Sequence, residues 1–261
     1  MPLSVPMFEL AGIDDVEGGP GVRKLMNILL VDPAQRDGVP ELYENIGIAA
    51  LAASTRQAGF ETATILTHLE GWSYPRLGRE IIKRDPDVLG VSLLSYNARR
   101  TLHLLRRLKQ DGLRSRIVIG GHFPTFNDET LLLEWPELDV VVRGEGDITL
   151  VELLKGWESG DDPVMIDGIS FREGSGIHRT PDRPLQKDLD SLPLPARDHT
   201  QRIIEMGGTL HMVRARGCYA NCAFCSIASF YRAQGGARLA TARDRECYRR
   251  DGGTHGPIPG S

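Results

Sequence analysis

No cysteine occurs in the first 217 residues, and no stretch approaches the ~20 consecutive apolar residues that a membrane-spanning helix requires. The first 22 residues hold neither Lys nor Arg, so the charged start of a secretory signal is missing too. An excess of positive charge is also lacking. The 31 Lys and Arg face 35 Asp and Glu for a formal net charge of −4, which gives no global attraction to nucleic acid or anionic membrane. These absences read as a protein of a reducing cytoplasm, with no membrane and no nucleic-acid partner. What is present is an ordinary globular composition: 261 residues, 41% hydrophobic and 25% charged. That is material for one large domain or two small ones, and it excludes disorder throughout, collagen-like repeats and a disulfide scaffold.

From Asn27 the chain alternates strand-like and helix-like segments. Ile28 to Val31 is a continuous apolar run, as expected of a strand buried on both faces. Further strands are expected at Thr62–Leu66, Val88–Leu94, Ile117–Ile119 and Asp139–Val142. Helices are expected at Asn45–Ala58, Tyr74–Arg84, Ala98–Asp111, after Thr125-x-x-Asp128, and at Ile148–Trp157. Arg99, Arg100, Arg106, Arg107 and Lys109 are expected to form the solvated face of their helix. Five strands, each followed by a helix, make an α/β fold: a doubly wound five-stranded parallel sheet of flavodoxin or Rossmann type. After Gly160 a small hairpin is expected across Gly174-Ser175-Gly176, then a stiff linker carrying Pro181, Pro184, Pro193 and Pro195. Leu210–Val213 reads as one more strand, running into Arg216-Gly217-Cys218. From Ala237 onward Leu239 and Ile258 are the only large aliphatic residues, so that stretch is expected to be a disordered tail.

Ligands of open α/β sheets bind outside the carboxyl ends of the strands. The first strand ends in Asp32-Pro33-Ala34-Gln35, not Gly-x-Gly-x-x-Gly, which argues against a nicotinamide site. No Gly-x-x-x-x-Gly-Lys phosphate loop is present. The third and fifth strands end in Ser92/Leu94 and Arg143, which does not suit a phosphoacceptor receiver. The remaining carboxyl-end residues are Gly120-Gly121-His122 and Gly144-Glu145-Gly146. Tight turns alone account for such glycines.

The strongest chemical signal is Cys218-Tyr-Ala-Asn-Cys222-Ala-Phe-Cys225. Three thiols within eight residues can converge on one metal centre if the loop wraps it. A zinc site with Cys247 as fourth ligand is one reading, although the two-pair zinc spacing is absent. An iron–sulfur cluster is the other, and with three thiolate ligands it leaves one of four irons open to a substrate.

Cys-x-x-x-Cys-x-aromatic-Cys after Arg216-Gly217 resembles the signature of the radical S-adenosylmethionine (SAM) superfamily. The resemblance implies a 4Fe–4S cluster on Cys218, Cys222 and Cys225, SAM on the open iron, and Phe224 near the adenine. Ser92-x-Leu94 followed by Gly120-Gly121, with 25 residues between, resembles the motif pair of cobalamin-binding domains. The loop Val142-Arg143-Gly144-Glu145-Gly146-Asp147 and the segment Leu189–Arg197 extend the match. The chain is thus similar to the cobalamin-dependent radical SAM enzymes. The resemblance implies cobalamin contacts at Ser92, Leu94, Gly120, Gly121, His122, Gly144, Glu145 and Gly146. The family's Asp-x-His-x-x-Gly element is absent, since Ala34 stands two places after Asp32, so no cobalt-ligating histidine is assigned. His122 is read as a turn residue or a group near the cofactor.

The implied organisation is a preamble at 1–25 expected to be disordered, a cobalamin-binding domain at 26–160 and a hairpin and linker at 161–208. The start of a radical SAM partial barrel follows at 209–236, then the tail at 237–261. Only 36 residues follow Cys225, so the barrel is expected to be truncated near Ala237 by a broken gene or frame. The function implied is SAM cleavage serving methyl transfer or cyclisation on a small-molecule substrate, with an external electron donor such as flavodoxin or ferredoxin. The alternatives are a non-catalytic cobalamin-binding module and a zinc-binding cysteine cluster.

Overall fold

The computed structural model describes residues 26–33, 41–220, 222–233 and 239–242. The preamble at 1–25, Ala34, Asp37, Gly38 and Cys247 lie outside the described residues.

The expected α/β alternation is present. It comprises β1 (Asn27–Asp32), α1 (Ile46–Gln57), β2 (Glu61–Leu66), a short α2 (Thr67–Glu70), α3 (Tyr74–Arg84), β3 (Val88–Ser92) and α4 (Ala98–Gln110). These are followed by β4 (Arg116–Gly120), α5 (His122–Glu134), β5 (Val140–Val142) and α6 (Gly146–Ser159). The strands β2-β1-β3-β4-β5 pair in parallel, in that order, so the winding direction reverses between β1 and β3.

Side-chain alternation along each strand feeds two separate cores. Leu29, Val31, Leu89, Val91, Ile117 and Ile119 pack with Leu77 and Ile81 of α3 and Leu102 and Leu105 of α4. Ile28, Leu30, Val88, Val118, Val140 and Val142 pack with Ile48 and Ala52 of α1 and Leu150, Leu153 and Leu154 of α6. Each fully buried leucine or isoleucine contributes about 1.5–3 kcal/mol of hydrophobic stabilisation, which explains why nearly continuous apolar runs make these strands.

Several expectations are corrected. The hairpin, β6 (Ile169–Glu173) and β7 (Gly176–Arg179), is not a separate ornament: it adds two antiparallel strands beside β5, giving a seven-stranded sheet. Its inner residues are as apolar as a sheet edge requires, and Ile169 and Phe171 are buried. Thr125-x-x-Asp128 lies inside α5, which begins at His122 but is broken at Asn127 (φ −134°, ψ 19°), so a helical segment does start afresh at Asp128, ahead of Leu131–Leu133. Thr125 donates to the Gly121 carbonyl at 2.8 Å and accepts from Gly144 N–H at 3.0 Å. Asp128 is buried and accepts from Ser170 Oγ at 2.6 Å and Arg179 Nε at 2.9 Å, fastening α5 to the added strands.

The proline-bearing segment is docked on the sheet layer. Arg56 makes a bidentate pair with Asp198 at 2.7 Å for both bonds, Ala196 N–H donates to the Ala49 carbonyl at 2.9 Å, and Arg197 pairs with buried Glu44. A short helix, α7 (Thr200–Glu205), follows. Leu210–Val213 is not a strand. The pairing backbone comes two residues later, as β8 (Ala215–Gly217), which leads through the cysteine loop into α8 (Ser226–Ala233). Within the expected disordered tail, β9 (Leu239–Thr241) pairs antiparallel with β8. Backbone pairing of this kind does not depend on large apolar side chains, and Ala242 N–H adds a bond to the Arg214 carbonyl at 2.8 Å. Residues 243–261 lie outside the described residues.

Candidate functional site

At the carboxyl ends of β3, β4 and β5 a cavity of about 450 Å³ opens between the sheet and helices α1 and α6. Small residues create it. Ser92 stands beside Gly120, and Gly120 beside Val142, in one cross-strand row. One row below, Gly90 stands beside Leu30 and Val118. A Cβ on Gly90 would lie 2.7 Å from Leu30 Cδ2, and one on Gly146 would lie 3.0 Å from Leu51 Cδ2. Gly121 turns the chain with φ 107°, and a Cβ there would lie 2.8 Å from the Leu93 carbonyl oxygen. Glycine is therefore required at Gly121 by both conformation and space.

The rim is built by local bonding. Asn45 caps α1 through bonds to Gly47 and Ile48 N–H at 3.0 and 3.2 Å, and its amide donates to Asp32 at 2.7 Å. Asn97 holds the turn after β3 by accepting from Leu94 N–H at 2.9 Å and donating to the Pro33 carbonyl at 3.1 Å. Leu189, Leu192, Pro193 and Pro195 of the docked segment complete the wall with Arg216, Phe230 and Tyr231.

Every residue expected to contact cobalamin lines this cavity: Ser92, Leu94, Gly120, Gly121, His122, Gly144, Glu145 and Gly146. His122 opens α5 and stacks on Phe230 with ring centroids 4.3 Å apart. Its Nε2 is buried without a hydrogen-bond partner, and burial lowers its pKa below the ordinary histidine value. Glu145 accepts from Gln186 N–H at 2.8 Å, so its carboxylate also anchors the segment after the hairpin.

Sequence reasoning missed Asp147 and Arg216. The guanidinium donates to both Asp147 oxygens at 2.6 and 3.1 Å and to Glu145 at 3.3 Å. Burial opposes the charge on Arg216, but the bonds to Asp147 and the charge of both carboxylates outweigh it and raise its pKa. Phe230 and Gly90 were also missed. The signal for Gly90 was present, since a lone glycine inside an apolar strand marks a close approach or a space kept open.

A second buried polar group lies outside the cavity wall. Asp32, at the end of β1, sits 3.3 Å from Nδ1 of His68, and His68 stacks on Tyr43 with centroids 4.4 Å apart. His68 Nε2 faces the Tyr43 carbonyl at 3.1 Å. Desolvation pulls the His68 pKa down, but the Asp32 carboxylate and the Tyr43 carbonyl together leave it raised.

The cysteine loop runs between β8 and α8. Cys218 and Cys225 are half-buried, Cys222 is exposed, and all three are free thiols. Among the described residues no three Cys, His, Asp or Glu side chains stand close enough to share a metal ion, so the thiols do not converge. Metal–thiolate bonds are what normally draw such a loop together. The donor set, three accessible thiols of one short loop, fits an iron–sulfur cluster chemically. Phe224 is 92% exposed and lies outside the cavity wall. The cavity fits part of a large organic cofactor: its volume is about 450 Å³, and its polar edge carries Ser92, Glu145 and His122, whose buried Nε2 has no hydrogen-bond partner among the described residues.

The model of the B12 binding domain matches residues 37–154. An uncharacterized methyltransferase of Pyrococcus horikoshii is 30% identical over 213 residues, covering 78% of this chain and 46% of that protein. The anaerobic magnesium-protoporphyrin IX monomethyl ester cyclase of Cereibacter sphaeroides is 28% identical over 226 residues, covering 79% of this chain and 36% of that one. Among solved structures, the cobalamin-dependent S-adenosylmethionine radical enzyme OxsB, with aqua-cobalamin and S-adenosylmethionine bound, shares the fold with a TM-score of 0.67. It is 22% identical, over 77% of this chain and 28% of that one. The chain thus spans less than half the length of these relatives. No described helix is long and apolar enough to cross a membrane. Residues 37–154 thus form a B12-binding domain, and the likeness to these relatives extends over more of the chain than that domain.

Proposed function

We propose that this chain binds cobalamin in the cavity at the carboxyl edge of the sheet and holds a 4Fe–4S cluster and SAM on the adjoining cysteine loop, as part of methyl transfer or cyclisation on a small molecule. One observation carries the reading: the residues of the two cobalamin-type motifs and the Arg216 that introduces the cysteine motif wall the same cavity. When bound, cobalamin supplies a cobalt centre able to take up and give away a methyl group, and the cluster supplies a low-potential electron to SAM. Gly90, Gly120 and Gly121 line the space for the cofactor's tail, Ser92 and Glu145 offer hydrogen bonds, and Leu189, Leu192, Pro193 and Pro195 add apolar wall. Cys218, Cys222 and Cys225 supply three thiolates, leaving the fourth iron for the amino and carboxylate groups of SAM. Phe224, exposed beside Cys225, is available to pack on the adenine. Such chemistry calls for a reducing cytoplasm and for an electron donor of the flavodoxin or ferredoxin kind.

Anaerobic reconstitution with iron and sulfide, followed by reduction and electron paramagnetic resonance, tests the cluster. A four-iron signal that changes on adding SAM supports the reading, and bound zinc with no iron signal contradicts it. A second reading, a cobalamin-binding module without catalysis, draws on the B12-binding domain at 37–154, which alone carries every expected cobalamin contact. It predicts retained corrinoid and no iron signal.

A further inference from the structure

Asp147 and Arg216 line the cavity and also fix the cysteine loop in place. The Arg216 side chain is 19% exposed and that of Asp147 9%, so their two-bond pair is largely shielded from water. Shielding and fork geometry make such a pair stiff. Between Arg216 and Cys218 stands Gly217 alone, with φ 99°. A guanidinium held at two points thus sets where the loop starts, one peptide before its first thiol.

The far end of the loop meets the same wall. Tyr231 of α8 stands with Glu145 and Arg216 there. Phe230, 5% exposed, is seated on His122. Tyr231, Phe230, His122 and Glu145 all line the cavity. The loop therefore begins and ends on the wall that a cavity ligand would touch, and Cys222, at its exposed middle, is the thiol farthest from both anchors in sequence.

We infer that Arg216 is a positioning residue that couples filling of the cavity to the conformation of the cysteine loop, through its pair with Asp147. This rests on the cobalamin reading above. A ligand pressing on Glu145, Asp147 or His122 tightens the Arg216 and Tyr231 anchors and draws Cys218 and Cys225 inward. The coupling is reciprocal: whatever fixes the loop strengthens cavity binding by the same factor.

The test uses the full chain without iron, under anaerobic conditions. Each thiol's rate of addition to N-ethylmaleimide is followed by peptide mass spectrometry, with and without saturating cob(II)alamin. The expected result is a slowing of about fivefold or more at Cys218 and Cys225, with Cys222 unchanged, a size typical of linked sites. In Asp147→Asn and in Arg216→Lys, the with-to-without rate ratio at Cys218 is expected to rise to about 1. The Lys variant keeps the charge and loses the fork. Circular dichroism reports whether each variant is folded. Independently of those two variants, Cys247→Ser chain with its three remaining thiols blocked is expected to bind cob(II)alamin with altered affinity. Unchanged rates in a wild-type chain that retains cob(II)alamin overturn the coupling alone. A ratio that persists in both folded variants overturns the role of Arg216. Failure of the wild-type chain to retain cob(II)alamin overturns the cobalamin reading and the coupling with it.

Discussion

Phe230 lies face to face with His122, their ring centroids 4.3 Å apart and their planes 30° from parallel. This contact seats the helix after the cysteine motif on the first residue of α5, at the wall of the cavity. It also shields the imidazole, and burial lowers its pKa.

Replacing Phe230 by Ala removes that shield. The His122 titration midpoint, followed by nuclear magnetic resonance, is expected to rise toward the ordinary value near 6.5. The loss of a buried aromatic ring is expected to weaken docking of α8 by about 3 kcal/mol. The sign of the pH dependence follows from the direction of the shift. A histidine held below its unfolded value stabilises the fold fully above about pH 6.5, and that contribution is lost as pH falls toward the folded value. In Phe230→Ala this acid-side loss should shrink. A midpoint that does not move would show that Phe230 does not shield the ring.

His68 carries the opposite sign. Its raised pKa means the Asp32 pair contributes fully below about pH 6.5 and is lost as pH rises through the folded value. Asp32→Asn removes the largest favourable influence and leaves desolvation opposed only by the Tyr43 carbonyl and the Glu41 charge, so the His68 midpoint is expected to fall. Breaking a buried pair by removing one partner costs about 3–5 kcal/mol. Urea unfolding of both proteins at several pH values measures this, and equal stabilities at low pH would contradict it.

The parallel sheet was legible because strands buried on both faces read as apolar runs. Ser92, Gly120, Gly121 and Gly144–Gly146 were legible because ligands of such sheets gather where strands end. Other features have no local period. Asp147 and Arg216 are 69 residues apart, and Asp32 meets His68 only because β1 and β2 pair side by side. The hairpin strands alternate as any hairpin does, and nothing within them says that β5 leaves an edge to extend. The Thr125-x-x-Asp128 pattern does precede a helical segment that restarts after Asn127, but its Asp128 also bonds Ser170 and Arg179 on the added strands. A local pattern cannot announce a second use that tertiary packing supplies.

Gly121→Ala places a Cβ 2.8 Å from the Leu93 carbonyl in a left-handed conformation. Strain of this kind costs about 1–3 kcal/mol, or several degrees of Tm in a chain of this size. Cob(II)alamin retention is expected to fall with it. Gly112→Ala, a left-handed glycine with open space around it and distant from the cavity wall, is expected to show the strain without the loss of retention. Equal retention in both variants would disconnect Gly121 from the site.

Each of Cys218→Ser, Cys222→Ser and Cys225→Ser is expected to reduce bound iron after reconstitution to near background, with corrinoid retention kept. Cys247→Ser should leave iron content unchanged. Loss of metal in the Cys247 variant, with zinc in the wild type, would favour the zinc reading.

Anaerobic gel filtration after incubation with cob(II)alamin tests the central claim most directly, with the corrinoid absorbance read across the protein peak. The cavity walled by Ser92, Gly120, Gly121, Glu145 and Arg216 predicts one corrinoid carried per chain, and fewer with Gly121→Ala. A protein peak free of corrinoid absorbance would contradict the account.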